Sequence, residues 1–120
     1  MKIYQFTQEA GKTIEAFGSR ELHMSKILSE ASSPHIGCMY LGENGRVGRH
    51  QAGVPQLFLV VSGGGWVRGD EGPEVAIRAG YAAYWEQGEW HETWTDNGLT
   101  AIVIESESLN IAMLPIQESL

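Results

Sequence analysis

The sequence predicts an all-β fold, a barrel or sandwich, from three observations. Short apolar or alternating runs recur along it: Ile36–Leu41, Leu57–Val61, Val75–Ile77, Tyr81–Trp85 and Leu99–Ile104. Turn-forming stretches separate them, and short β-rich runs at regular spacing are the signature of such architectures. Its 15 glycines in 120 residues are roughly twice the usual share of about 7%. They fall between the runs, where tight turns need the positive φ that glycine adopts without steric cost.

Taken in order, Lys2–Phe6 reads as an edge strand. Arg20–Glu30, with Leu22, Met24, Ile27 and Leu28, fits neither a helical nor a strand period and stays open between the two. Ala31-Ser32-Ser33-Pro34 is a loop. Asp70-Glu71-Gly72-Pro73 and Asp96-Asn97-Gly98 read as hairpin turns. Gly63-Gly64-Gly65 reads as a turn where the chain reverses, and the tail after Glu105 as a strap. Cys38 has no partner for a disulfide and is expected to be a buried structural thiol. With no repeat, linker or low-complexity segment, residues 1–120 are expected to form one domain, its core spanning about 36–106.

Bulk properties exclude several classes of function. The formal charge is −7, and only eight Lys and Arg residues are scattered along the chain. A nucleic-acid or anionic-membrane surface needs clustered cations, so neither partner is expected. No stretch approaches the roughly 20 apolar residues of a membrane helix. Met1–Phe6 lacks the apolar run of a signal peptide, which makes a cytoplasmic location the default expectation. There is no Gly-x-Ser-x-Gly elbow and no phosphate-cradling loop.

Two segments carry the chemistry. Gly45–Gly63 contains His50, Gln56 and Gly63, and Gly80–Asn97 contains Gly80, Gly88 and His91. Together they resemble the paired motifs of the cupins: Gly, His-x-His, Glu and Gly in the first, then Gly, Pro-x-Gly and His in the second. The resemblance covers Gly45 to about Glu105. It implies a double-stranded β-helix, the cupin jelly-roll barrel, with His50, Gln56 and His91 as the set that would hold a divalent metal ion (Zn, Ni, Mn or Fe). Three positions depart from the pattern: Ala52 replaces the second His, Gln56 the Glu, and Glu86 the Pro. A neutral amide leaves a divalent ion less compensated than a carboxylate would, so metal affinity is expected to be low.

Strand alternation puts Phe58 on the inner face with Gln56, and Glu89 on the face of His91. Tyr84 shares a face with Ala82 and Glu86 and would line the pocket if that face is inward. Phe58, Tyr84, Glu86 and Glu89 are therefore the expected pocket residues. Trp90 and Trp94 point the other way, toward N-terminal strands or a partner subunit, while His23 and His35 read as surface or packing residues. Two functions follow: a barrel that binds a small molecule, with or without a metal, or a metal-dependent enzyme of the dioxygenase or isomerase type acting on a small organic substrate. A homodimer is expected in either case, since small cupins pair through their sheets.

Overall fold

Leu57, Phe58, Leu59 and Val60 are all buried, so both faces of their strand need cover, and that requirement organises the molecule. The computed structural model describes residues 1–116. Its strands are β1 (Lys2–Gln5), β2 (Lys12–Thr13), β3 (His23–Met24), β4 (Leu28–Ala31), β5 (His35–Leu41), β6 (Arg46–Gln51), β7 (Gln56–Arg68), β8 (Val75–Arg78), β9 (Tyr81–Trp85), β10 (Trp90–Trp94), β11 (Leu99–Glu105), β12 (Leu109–Ile111) and β13 (Leu114–Ile116). All pairings are antiparallel, as the all-β expectation requires. No helix among the described residues is long and apolar enough to cross a membrane.

The strand β7 belongs to two sheets. Its first half pairs with β9 and β11, giving the order β13-β1-β9-β7-β11-β5; its second half pairs with β8 and β10, and β10 pairs with β6. Between the sheets lies one core of Ile3, Phe58, Val60, Val67, Ile77, Ala83, Trp85, Leu99, Ala101 and Val103. The outer face of the larger sheet carries a second cluster around Leu57, Leu59, Ala82, Ile104 and Met113. Leu28 of β4 and Leu109 and Ile111 of β12 pack over it. The Ser106 hydroxyl accepts a hydrogen bond from the Ser32 amide at 3.1 Å, which ties β4 to the end of β11.

Several sequence expectations need correction. Gly63–Gly65 does not reverse the chain; it lies inside β7 where the strand passes between sheets. A Cβ on Gly64 would meet the Ile77 carbonyl oxygen at 2.8 Å, and one on Gly65 would collide with the Trp94 carbonyl. These glycines admit neighbouring strands rather than a turn. Asp96–Gly98 does not close a hairpin, because β10 and β11 belong to different sheets. The segment Lys2–Gln5 is an inner strand between β9 and β13, and Arg20–Glu30 holds β3 and the start of β4. Cys38 is exposed. It lies on the outer face of β5 with Ile36 and Tyr40, and among the described residues β5 has β11 alone beside it and that end of the face is left uncovered.

Candidate functional site

His50 and His91 stand directly opposite each other on β6 and β10. Their ring centroids are 4.3 Å apart. A bulge just beyond them sets two residues of β6, Gly48 and Arg49, against Glu92, so that Val47 pairs with Thr93. A bulge of this kind re-aims side chains, and it lets β6 present both His50 and Val47 to the side occupied by His91 and Thr93. The two imidazoles differ in surroundings: His50 is exposed, whereas His91 is 2% exposed.

Backbone carbonyls set both tautomers. The His50 Nδ1 lies 2.7 Å from the Gly48 carbonyl oxygen, and the His91 Nδ1 lies 3.3 Å from that of Glu89. A carbonyl only accepts, so in each neutral ring Nδ1 carries the proton and Nε2 keeps its lone pair. The His91 Nε2 is buried with no hydrogen-bond partner. Such an acceptor costs on the order of 1–3 kcal/mol, and a cost of that kind points to a function.

Trp85, one of the aromatics that fall within the motifs but not among the expected site residues, backs the pair. It is fully buried, stacks on His91 with centroids 4.4 Å apart, and packs against Phe58 at 6.0 Å. Its Nε1–H is also buried without a partner. The signal available in the sequence was its parity with Ala83, a core residue of the same strand. Gln56 is 8% exposed and pairs across β7 and β9 with Trp85, so it adjoins the ring under His91. Ala52, in the place of the second cupin imidazole, is buried and bonded through its backbone to Gly88 and Glu89. Phe58 faces inward as expected and fills the core.

The structure sets Tyr84, Glu86 and Glu89 apart from the imidazoles. Ala82 and Tyr84 belong to the outer cluster, so that face of β9 is not the inward one. Tyr84, Glu86 and Glu89 line an outer groove of about 530 Å³ together with Met1, Lys2 and Asp70. Burial, and then the Glu86 charge, push the Tyr84 phenol up. The Glu89 carboxylate accepts a bond from the Met1 ammonium at 2.7 Å and another from the Glu86 amide at 3.1 Å, so it is occupied in holding the 86–89 turn. Trp90 and Trp94 do point outward. Arg49 lies over Trp90, Arg46 over Trp94, and Trp66 stacks on Trp94 at 6.3 Å.

The geometry matches solved structures. A cupin superfamily protein from Desulfitobacterium hafniense has a TM-score of 0.59 at 10% identity, covering 69% of this chain and 75% of that one. A cupin-like protein from Thermotoga maritima has a TM-score of 0.59 at 15% identity, covering 68% and 65%. An RmlC-like cupin from Shewanella frigidimarina has a TM-score of 0.58 at 19% identity, covering 62% and 67%. The chain has the cupin fold. No family model and no curated protein matches it.

Cupin barrels invite the question of a metal. Two imidazoles whose Nδ1–H groups are held by carbonyls are prepared as ligands, since that bond orients the ring and raises its basicity. The third residue is a neutral amide, and no group of three His, Cys, Asp or Glu side chains among the described residues could hold an ion. The donors therefore fit two coordination positions of a weakly held ion and do not fit a closed structural site.

Burial, and to a smaller extent the neighbouring His50, push the His91 pKa down, with the Glu89 carbonyl and the Glu89 and Glu105 charges opposing. A histidine held neutral in the fold takes a proton in the unfolded chain below about pH 6.5. Its contribution to stability is therefore fully present above that pH and is lost as pH falls toward the lower folded pKa. Urea melts from pH 8 to 5 should show stability falling below about pH 6.5, and His91→Leu should reduce that slope. An unchanged slope in the variant would assign the titration to other groups.

Proposed function

We propose that this cupin barrel binds a small organic molecule at the mouth marked by His50, Gln56 and His91, with Trp85 as the wall behind them. One observation carries the reading: the buried His91 Nε2, which has no partner among the described residues and needs one. Trp85, whose ring stacks on His91, carries a second buried polar atom without a partner, Nε1–H, and a ligand with both a donor and an acceptor would satisfy the two. A screen of small molecules by thermal stabilisation tests this. A ligand at about 100 times its Kd should add about 2.7 kcal/mol, and the gain should vanish in His91→Leu. Ligands that stabilise the wild type and the variant equally would place the binding elsewhere and sink the reading.

A second reading, a metal-dependent enzyme of the dioxygenase or isomerase type, is favoured by two imidazoles with centroids 4.3 Å apart, each with Nδ1 on a backbone carbonyl. A divalent ion, when bound there, would supply Lewis-acid or redox chemistry. His50 and His91 would hold it, and Gln56 would lie near it as a neutral oxygen donor. Metal content by mass spectrometry on untagged protein, beside the His50→Ala, His91→Ala double variant, tests the second reading, which metal-free wild type would overturn. Near-stoichiometric metal in the wild type alone would favour the enzyme.

We place the protein in the cytoplasm, a reading that the free, exposed thiol of Cys38 supports, and we infer a homodimer. The outer face of β5, with Ile36 63% and Tyr40 77% exposed, supports pairing there better than the tryptophan face, whose rings lie under Arg46 and Arg49. Light scattering that gives a monomer at micromolar concentration would refute the dimer.

A further inference from the structure

The cross-strand register builds a polar row that sequence motifs do not contain. Trp85 on β9 pairs with Gln56 on β7, Gln56 with Glu105 on β11, and Glu105 with His35 on β5. Glu105 shares its face with Ala101 and Val103, and His35 shares the face of Met39 and Leu41, all parts of the inner core. The row therefore runs along the inner face of the larger sheet from beneath His91 to β5, the edge strand among the described residues. At its outer end lies a groove of about 360 Å³ along the side of β5, lined by His35, Gly37, Met39, Val103 and Glu105 and, from the other face of β5, by Ile36 and Cys38. Gly37 keeps it open, since a Cβ there would meet nothing within 4 Å.

Glu105 gives this row a carboxylate, beside the Trp85 Nε1–H donor and the Gln56 and His35 groups, which can both donate and accept. Glu105 is half-buried, and the ion pairs among the described residues engage Glu89 and Glu92 but not Glu105. A carboxylate is an acceptor only, and the His91 ring, whose Nδ1 faces the Glu89 carbonyl, leaves Nε2 as the atom without a partner among the described residues. The Gln56 amide oxygen adds another acceptor. An anionic ligand would meet a carboxylate and lone pairs here, with the Trp85 Nε1–H and the Gln56 amide as donors. A cation that carries several N–H groups would match the acceptors, and its apolar arm would match Met39 and Val103.

We propose that the groove between β5 and β11 takes the alkyl arm of a small organic cation, a primary alkylammonium, whose head is received by Glu105 beside Gln56 and His91. The inference rests on the barrel mouth being a binding site and adds to it a ligand class and a carboxylate. Calorimetric titration at pH 8 in chelator-treated buffer, with hexylammonium, hexanol and hexanoate as probes, tests it. Hexylammonium should bind and hexanoate should not. Glu105→Gln should weaken hexylammonium by about tenfold or more, because the bond to the charged acceptor is lost. Gly37→Val, which fills the groove and leaves every charge in place, should weaken hexylammonium and hexanol alike. Hexanoate binding as well as hexylammonium, Glu105→Gln binding as the wild type does, or no binding of hexylammonium would each overturn the proposal. If hexanol binds in a His91-dependent way while hexylammonium does not, the ligand class fails and the barrel reading stands.

Discussion

Trp85→Ala should lower the stability of the fold by about 3–5 kcal/mol, the range for removing a fully buried large aromatic side chain. Trp85 is the largest of the fully buried side chains. It bridges the apolar core, through Phe58, to the polar mouth, through His91. Collapse around the gap is opposed because Trp85 lies on β9, which is paired on both sides by β1 and β7. The loss of its orphaned Nε1–H offsets a small part of the cost. In a melting experiment the midpoint should drop by roughly 10–20 °C. Trp85→Phe, which retains a ring against His91 and removes the orphaned donor, should recover much of the loss. A drop of only a few degrees for the alanine variant would mean that the two sheets are held apart by other contacts.

The second large effect separates function from stability. His91→Leu removes a buried acceptor that has no partner and leaves the Glu89 carbonyl without its donor. These two changes oppose each other, each on the order of 1–3 kcal/mol, so the net change in stability above pH 6.5 should be small, within about 1 kcal/mol. Ligand binding at the mouth should fall at least about tenfold, because a site built around a polar anchor discriminates through that anchor. Urea denaturation and ligand titration on the same preparation read both quantities. A variant that loses stability and binding together would make His91 a structural residue and remove the main support for the site.

Alternation and composition carried much of this molecule. Phe58 and Val60 turned inward, Trp90 and Trp94 outward, and His91 into the interior, because a strand gives its residues two faces and the apolar side must be buried. The motif resemblance likewise anticipated a jelly-roll and the approach of His50 to His91. Cys38 and Tyr84 were misjudged for one reason: each lies on a strand whose outer face is covered only in part, and local sequence does not say where β4 and β12 will lie. The Gly63–Gly65 run looked like a turn because glycine serves both turns and close strand contacts, and only the neighbours Ile77 and Trp94 distinguish them.

The sequence by itself therefore determined the class of fold, the inward faces carrying Phe58 and His91, and the two imidazoles, since these follow from a period of two and from spacing within each motif segment. Tertiary structure decided which residues meet across strands. Pairing of Trp85 with Gln56, Gln56 with Glu105 and Glu105 with His35 is a matter of register between segments up to 70 residues apart, and a shift of a single residue would have turned Glu105 to the outer face. Register is set by the burial of whole strands against one another, which no local motif contains.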